Sequence, residues 1–173
     1  MRRVAEYQRF VRLRPVRLLS WLLPLALAGC GFHLQGSGPL PRSLASVHIE
    51  AIDTQSEFYV DLRRALRSAG VRLDDAGQDT GAAVVHILTD QVKDTVLTVS
   101  TLNAPTAFEL VYTVRVSVDA GGRERIAPEV HALSRDYTFD ERELLAKERE
   151  SAILSAALAR ELVTVIMRRL ASL

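Results

Sequence analysis

Cysteine is nearly absent from this 173-residue chain, which has only Cys30. One thiol can neither close an intrachain disulfide nor build a multi-cysteine zinc cage. Net charge is nearly absent too, because 22 Lys+Arg stand against 21 Asp+Glu for a formal +1. The balance is uneven along the chain. Residues 1–29 hold six arginines (Arg2, Arg3, Arg9, Arg12, Arg14, Arg17) and one acid, Glu6, which leaves residues 30–173 with 16 basic and 20 acidic groups, net −4. On that count no basic patch is expected to survive in the main part of the chain, and a nucleic-acid-binding domain is excluded. No apolar run reaches membrane-spanning length. Leu18 to Ala28 is the best candidate, and its eleven residues rise only about 16 Å as a helix, roughly half a hydrocarbon core. Internal repeats and low-complexity segments are missing, and the 48% hydrophobic content argues against disorder.

Motifs of catalysis are missing as well. There is no G-x-S-x-G elbow, P-loop or dinucleotide fingerprint. His33, His48, His86 and His131 are scattered, without the i,i+4 spacing of a helical metal site. Asp90 and Asp94 share one side of an expected strand, but four extended residues hold them about 13 Å apart, too far for a directly cooperating pair. No enzyme activity, metal or cofactor is expected.

What is present begins with an address. Arg14 and Arg17 precede the short apolar run, whose length suits a signal-peptide core. The basic stretch ahead of it exceeds an ordinary leader, so the true start can lie downstream of Met1. The run ends in Leu27-Ala28-Gly29-Cys30, which resembles a bacterial lipobox. That resemblance implies diacylglycerol attachment at Cys30 after cleavage behind residue 29. Gly31, rather than Asp, then points to the outer membrane. Two or three acyl chains hold a protein firmly, at roughly 0.8 kcal/mol per buried methylene. The chain divides into a signal peptide at 1–29, a lipidated Gly/Pro-rich tether at 30–45, and one domain at 46–173.

Within the domain, Ser46 to Ile52 alternates as a strand, with Val47, Ile49 and Ala51 on one face. Thr54 and Glu57 have capping-box spacing, and Phe58, Leu62, Ala65, Leu66 and Ala69 predict a helix over 56–69 that Gly70 stops. Val71 to Leu73 returns as a short strand. A long strand follows from Ala83 to about Val99, and Asn103-Ala104-Pro105 breaks it. The clearest strand puts Phe108, Leu110, Tyr112, Val114, Val116 and Val118 toward a core. Glu109, Thr113, Arg115, Ser117 and Asp119 face water. Another strand is expected near Val130–Phe139. Capping spacing at Asp140 and Glu143 opens a final helix, with Ala152, Ala156, Ala159, Val163, Ile166 and Leu170 as its stripe. The fold class is α+β: a mostly antiparallel sheet of about four strands with two helices on one face.

The segment Cys30-Gly31-Phe32-His33-Leu34 extends the lipobox in a distinctive way. It resembles the start of mature proteins of the LPS-assembly lipoprotein family, LptE. Leu62-Arg63-Arg64-Ala65-Leu66 ahead of Gly70-Val71, Ala107-Phe108-Glu109-Leu110, Ala146-Lys147 and Arg168-Arg169-Leu170 are similar to the family too. The resemblance covers nearly everything after Gly29. It implies a non-enzymatic outer-membrane lipoprotein that partners the LptD β-barrel, supports its assembly, plugs its lumen and binds lipopolysaccharide. It also implies Lys147 as a lipopolysaccharide contact. The loop expected to supply a second cation reads Val99-Ser100-Thr101-Leu102-Asn103-Ala104-Pro105 and has none, leaving Lys93 or Arg115 as substitutes. Apart from the resemblance, Lys147 reads equally as a solvated partner of Glu143 or Glu150. The alternatives are a barrel-assembly or envelope scaffold lipoprotein, and a lipid carrier.

Overall fold

The computed structural model describes residues 40–138 and 144–173, including all their side chains except those of 144–147. The signal peptide and Cys30 lie outside the described residues, as do Asp140 and Glu143.

A short 3-10 turn at Arg42–Leu44 leads into β1 (Ser46–Ala51). Leu44, within the expected tether, is fully buried, and Leu40 packs against the core beside it. Helix α1 (Glu57–Ser68) follows, and here the cap differs from the sequence reading. The N-cap is Ser56, whose Oγ accepts from the Tyr59 amide at 3.2 Å. Thr54 does not cap because Asp53 first folds the chain into a bend, accepting from the Gln55 amide at 2.8 Å. The helix buries Phe58, Tyr59, Leu62 and Leu66. It ends at Gly70 (φ +82°), with the Val71 amide donating to the Leu66 carbonyl and the Gly70 amide to that of Arg67. That pairing needs a left-handed residue after the helix, the conformation glycine adopts without strain.

Strand β2 (Arg72–Leu73) is two residues long and pairs parallel with β1. β3 (Ala83–Val99) pairs parallel with β1 and antiparallel with β4 (Pro105–Ala120). β5 (Arg123–Thr138) completes a five-stranded sheet of order β2-β1-β3-β4-β5. The sheet is mostly antiparallel and has one strand more than expected. β5 also starts earlier than the sequence suggested. Gly121 (φ +61°) and Gly122 (φ +71°) form a two-residue hairpin turn, so pairing resumes immediately at Ala120 and Arg123. Charged residues and Pro128 hid this stretch, and Pro128 is tolerated because β5 is an edge strand.

Helix α2 (Leu144–Ala171) lies over β4 and β5 and packs against α1. Its buried stripe is Leu158, Ala159, Leu162, Val163, Ile166, Met167 and Leu170. Ala152, expected in that stripe, is exposed, because the first turns of α2 extend past the end of α1. Arg135 and Arg169 tie the helix to the edge strand, through Glu161 at 2.7 Å and Glu129 at 2.7 Å.

All six expected inward residues of β4, from Phe108 to Val118, are buried beneath the helices. Ser117 faces away from the helices yet is only 9% exposed, since it sits at a bulge and opposite His86. Val114→Asp places an unpaired charge at a fully buried site, with an expected cost of roughly 4 kcal/mol or more. Thr113→Asp, on the opposite face, is expected to change stability by under about 1 kcal/mol. Chemical denaturation of the two variants checks this, and equal midpoints for Val114→Asp and wild type would show the faces to be inverted.

Candidate functional site at the open end of the sheet

The strands and helices differ greatly in length, and the difference creates a site. β1 has six residues and β3 has 17, about 20 Å against about 56 Å. α1 has 12 residues and α2 has 28, about 18 Å against about 42 Å. β1 covers the edge of β3 only from Ala83 to Ile87. Beyond that point the β3 backbone edge has no neighbouring strand among the described residues. A bulge between Ile87 and Thr89 then reverses which residues face the helices. Asp90, Val92, Asp94 and Val96 come onto that side, opposite Val114, Tyr112, Leu110 and Phe108.

An open groove of about 580 Å³ lies where α1 stops short, lined by Glu57, Val92, Asp94, Glu148, Ser151, Ala152 and Ser155. Its polar groups are mostly engaged. Ser155 Oγ donates to Glu57 at 3.3 Å, and Tyr137 Oη donates to Asp94 at 3.1 Å. The Tyr137 ring stacks on Phe108 with centroids 5.5 Å apart. Asp90 accepts from Ser56 Oγ, linking the cap of α1 to the sheet, and its carboxylate neighbours buried Tyr112. Burial first, then the neighbouring carboxylate, raises both phenols: Tyr137 to about 12, with Tyr112 also pushed upward. Asp90 and Asp94 thus have separate partners: Asp94 accepts from Tyr137, and Asp90 accepts from Ser56 beside Tyr112. The sequence put both aspartates on one strand face, but Tyr112 and Tyr137 lie far along the chain from them, and the bulge that sets the face was not visible.

The β3–β4 connection closes over Ser100, whose Oγ accepts from the amides of Leu102 and Ala104, while Asn103 takes φ +61°. Leu102 at its tip is 89% exposed. Val92, Val96, Leu97 and Val99 on the open strand are also exposed. Lys93 and Arg115 pair opposite Val111 and Thr89, which puts both on the sheet face away from the helices. Neither joins α2 at the groove. The backbone of Lys147 lies in the first turn of α2, immediately before groove residue Glu148; its side chain is outside the described residues. Carboxylates dominate the groove, so a phosphate contact at this end would rest on Lys147 and not on Lys93 or Arg115. Among the described residues, no group of three or more His, Cys, Asp or Glu is arranged for a metal ion, and no helix is long and apolar enough to cross a membrane. His33 lies outside the described residues.

With this geometry in place, comparison with known proteins is informative. The profile of the LptE family, described as lipopolysaccharide-assembly, matches residues 44–170. The chain is 27% identical over 161 residues to the LPS-assembly lipoprotein LptE of Photorhabdus laumondii, covering 92% of this chain and 87% of that one. It is 26% identical over 158 residues to the protein of the same name from Pectobacterium atrosepticum, covering 89% and 85%. Among solved structures, rare lipoprotein B from Shewanella oneidensis is similar with a TM-score of 0.65 at 27% identity, over 73% of this chain and 94% of that one. An uncharacterized lipoprotein B from Nitrosomonas europaea also gives 0.65, at 25% identity over 82% and 91%.

A phenol with a raised pKa adds stability that is complete below its unfolded value near 10 and is lost as pH rises through the folded value. Wild-type stability is thus expected to fall between pH 10 and about 12, with Tyr137 and Tyr112 both contributing. Tyr137→Phe should flatten part of that fall. Denaturant midpoints near pH 9 and about pH 11 measure the slope, and an unchanged slope in the variant would remove Tyr137 from the account.

Proposed function

This chain belongs to the LptE, lipopolysaccharide-assembly, family, and we propose on that premise that it is an outer-membrane lipoprotein anchored through acylated Cys30. In this reading it sits in the lumen of the LptD β-barrel, supports the barrel's assembly, plugs it, binds lipopolysaccharide and helps insert it at the cell surface. The observation that carries the reading is the open edge of β3. Val92, Val96, Leu97 and Val99 are exposed along a strand whose outer edge is unpaired from Thr89 onward among the described residues. A long apolar strand edge is an aggregation hazard in a free-standing protein, and a fixed partner removes the hazard. The other edge, β5, is blunted by Pro128 and by Arg125, Glu129, Arg135 and Asp136, as an edge facing water should be.

The sheet face away from the helices is polar and suits a polar barrel lumen. His86 spans it, bonded to Glu50 and Asp119 at 2.9 Å each. The lipid-carrier reading fits less well. The space between helices and sheet, where a carrier would hold its lipid, is filled by Leu44, Phe58, Leu62, Leu66, Leu158 and Leu162, all fully buried.

Purification of the tagged protein from detergent-solubilised outer membrane is expected to recover a large β-barrel at one-to-one stoichiometry. Val96→Asp together with Leu97→Asp should cut that recovery about tenfold, which corresponds to about 1.4 kcal/mol. The melting temperature should hold, because both residues are roughly half exposed. Full recovery by the double variant would remove the strand edge from the interface. For the lipid, Lys147→Glu is expected to weaken lipopolysaccharide binding at low salt, and the difference should shrink as salt rises. Unchanged affinity would return Lys147 to the role of a solvated helix charge.

A further inference from the structure

Four arginines meet at the other end of the sheet, far from the groove. Arg42 comes from the 3-10 turn, Arg72 from β2, and Arg123 and Arg125 from the start of β5, and together they line an open cleft of about 640 Å³. Asp79 is the single carboxylate among the lining residues. It is already engaged, accepting from Ser46 Oγ at 2.8 Å, from Arg72 at 2.9 Å and from the Gly81 amide at 3.0 Å. Those contacts, the Ser46 hydroxyl first, hold its carboxyl below the usual range. Glu124 lies between two of the arginines in sequence but does not line the cleft. Arg42, Arg123 and Arg125 are exposed and have no carboxylate partner among the described residues. The cleft thus carries a local surplus of three positive charges on a stretch of chain that is net negative overall. Guanidinium groups gathered this way repel one another unless an anion sits between them, and their planar forks match phosphate oxygens bidentately.

A second observation places the anion. The chain enters the domain at this same end, with Leu40 and Pro41 running directly into the turn that bears Arg42. Cys30 is ten residues before Leu40, and ten residues reach at most about 36 Å. We propose that the arginine cleft binds the phosphate of an anionic phospholipid headgroup in the leaflet that holds the lipid anchor. This rests on the anchoring reading of Cys30 given above. The acyl chains keep the cleft close to a dense layer of headgroups, so a weak site fills through high effective concentration. Anchor and cleft together make two attachments to one surface. They hold the domain at a fixed tilt, with the β3–β4 hairpin directed away from that leaflet.

The test is native mass spectrometry of the full lipidated chain in mild detergent, titrated with phosphatidylglycerol or with phosphatidylethanolamine. Wild type is expected to retain phosphatidylglycerol in clear preference. Each of Arg42→Gln, Arg123→Gln and Arg125→Gln should weaken that retention about fivefold. The triple variant should fall to the phosphatidylethanolamine level, while Lys93→Gln should match wild type. Equal retention of the two phospholipids by wild type overturns the proposal. So does displacement of phosphatidylglycerol by inorganic phosphate at equal concentration, which would mark a free-phosphate site. Preferential displacement by lipopolysaccharide, lost in the triple variant, overturns the phospholipid assignment as well. The same spectra report the mass of the Cys30 adduct and so separate the two readings. An unacylated chain that still selects phosphatidylglycerol ends the anchoring reading and leaves the cleft, whereas an acylated chain without selectivity does the reverse.

Discussion

Burial of one face of β4 organises the rest of the fold. Phe108, Leu110, Tyr112, Val114, Val116 and Val118 project from one strand into one core, and each such side chain contributes roughly 1.5–3 kcal/mol when removed from water. β3 and β5 hydrogen-bond to the two edges of that strand over nearly its whole length. α2 closes over the apolar face, and α1 packs against α2. Because side chains alternate along a strand, inverting β4 would expose the whole set at once. The register of both neighbours is therefore fixed by this strand, and the hairpin glycines 121 and 122 hold it from one end.

The same long strand leaves two unfinished ends. β4 and its partners outrun β1 and α1, so among the described residues the outer edge of β3 has no strand beside it at the far end and the first helix does not reach over it. At the near end, the starts of β2 and β5 and the turn before β1 fall together. One end gathers carboxylates around Val92 and Ala152, and the other gathers arginines around Asp79. A near-neutral chain is thereby given opposite local charges at its two ends. Exposed charges a Debye length apart act independently at physiological salt, so each end presents its own chemistry.

Most of the fold was legible in the sequence. The alternation of β4, the stripe of α1 and the stop at Gly70 are local patterns of apolar spacing and turn chemistry, and the structure keeps them. Errors arose where geometry is set from outside the segment. Ser56 displaced Thr54 as the cap because Asp53 bends the chain and Asp90, 34 residues away, accepts from the serine. Ala152 has helical spacing but lies beyond the end of α1 and has no core to enter. The pairing of Asp90 with Tyr112 depends on a one-residue bulge in β3 that no composition reveals. The arginine cleft was the least legible feature. Its residues lie on three separate stretches of chain, and the net −4 of residues 30–173 argued against any basic patch. Net charge bounds the average field of a domain and says little about a cluster assembled by strand order.

The two ends also constrain how the molecule can meet its surroundings in the proposed reading. A lipid anchor at Cys30 restrains only the near end, because the tether joins the domain there. Strands of 16 and 17 residues then carry the β3–β4 hairpin about 50 Å farther on, well beyond the headgroup layer. Exposed apolar side chains at that distance do not reach the leaflet that anchors the chain, so their cover must come from a protein or from lipid held by one. A barrel that encloses the sheet meets this requirement, because it surrounds the distal edge while leaving the anchored end at the mouth. The polar open face and the apolar unpaired edge then have different tasks. The first tolerates a wet lumen, and the second fixes the domain's rotation within it.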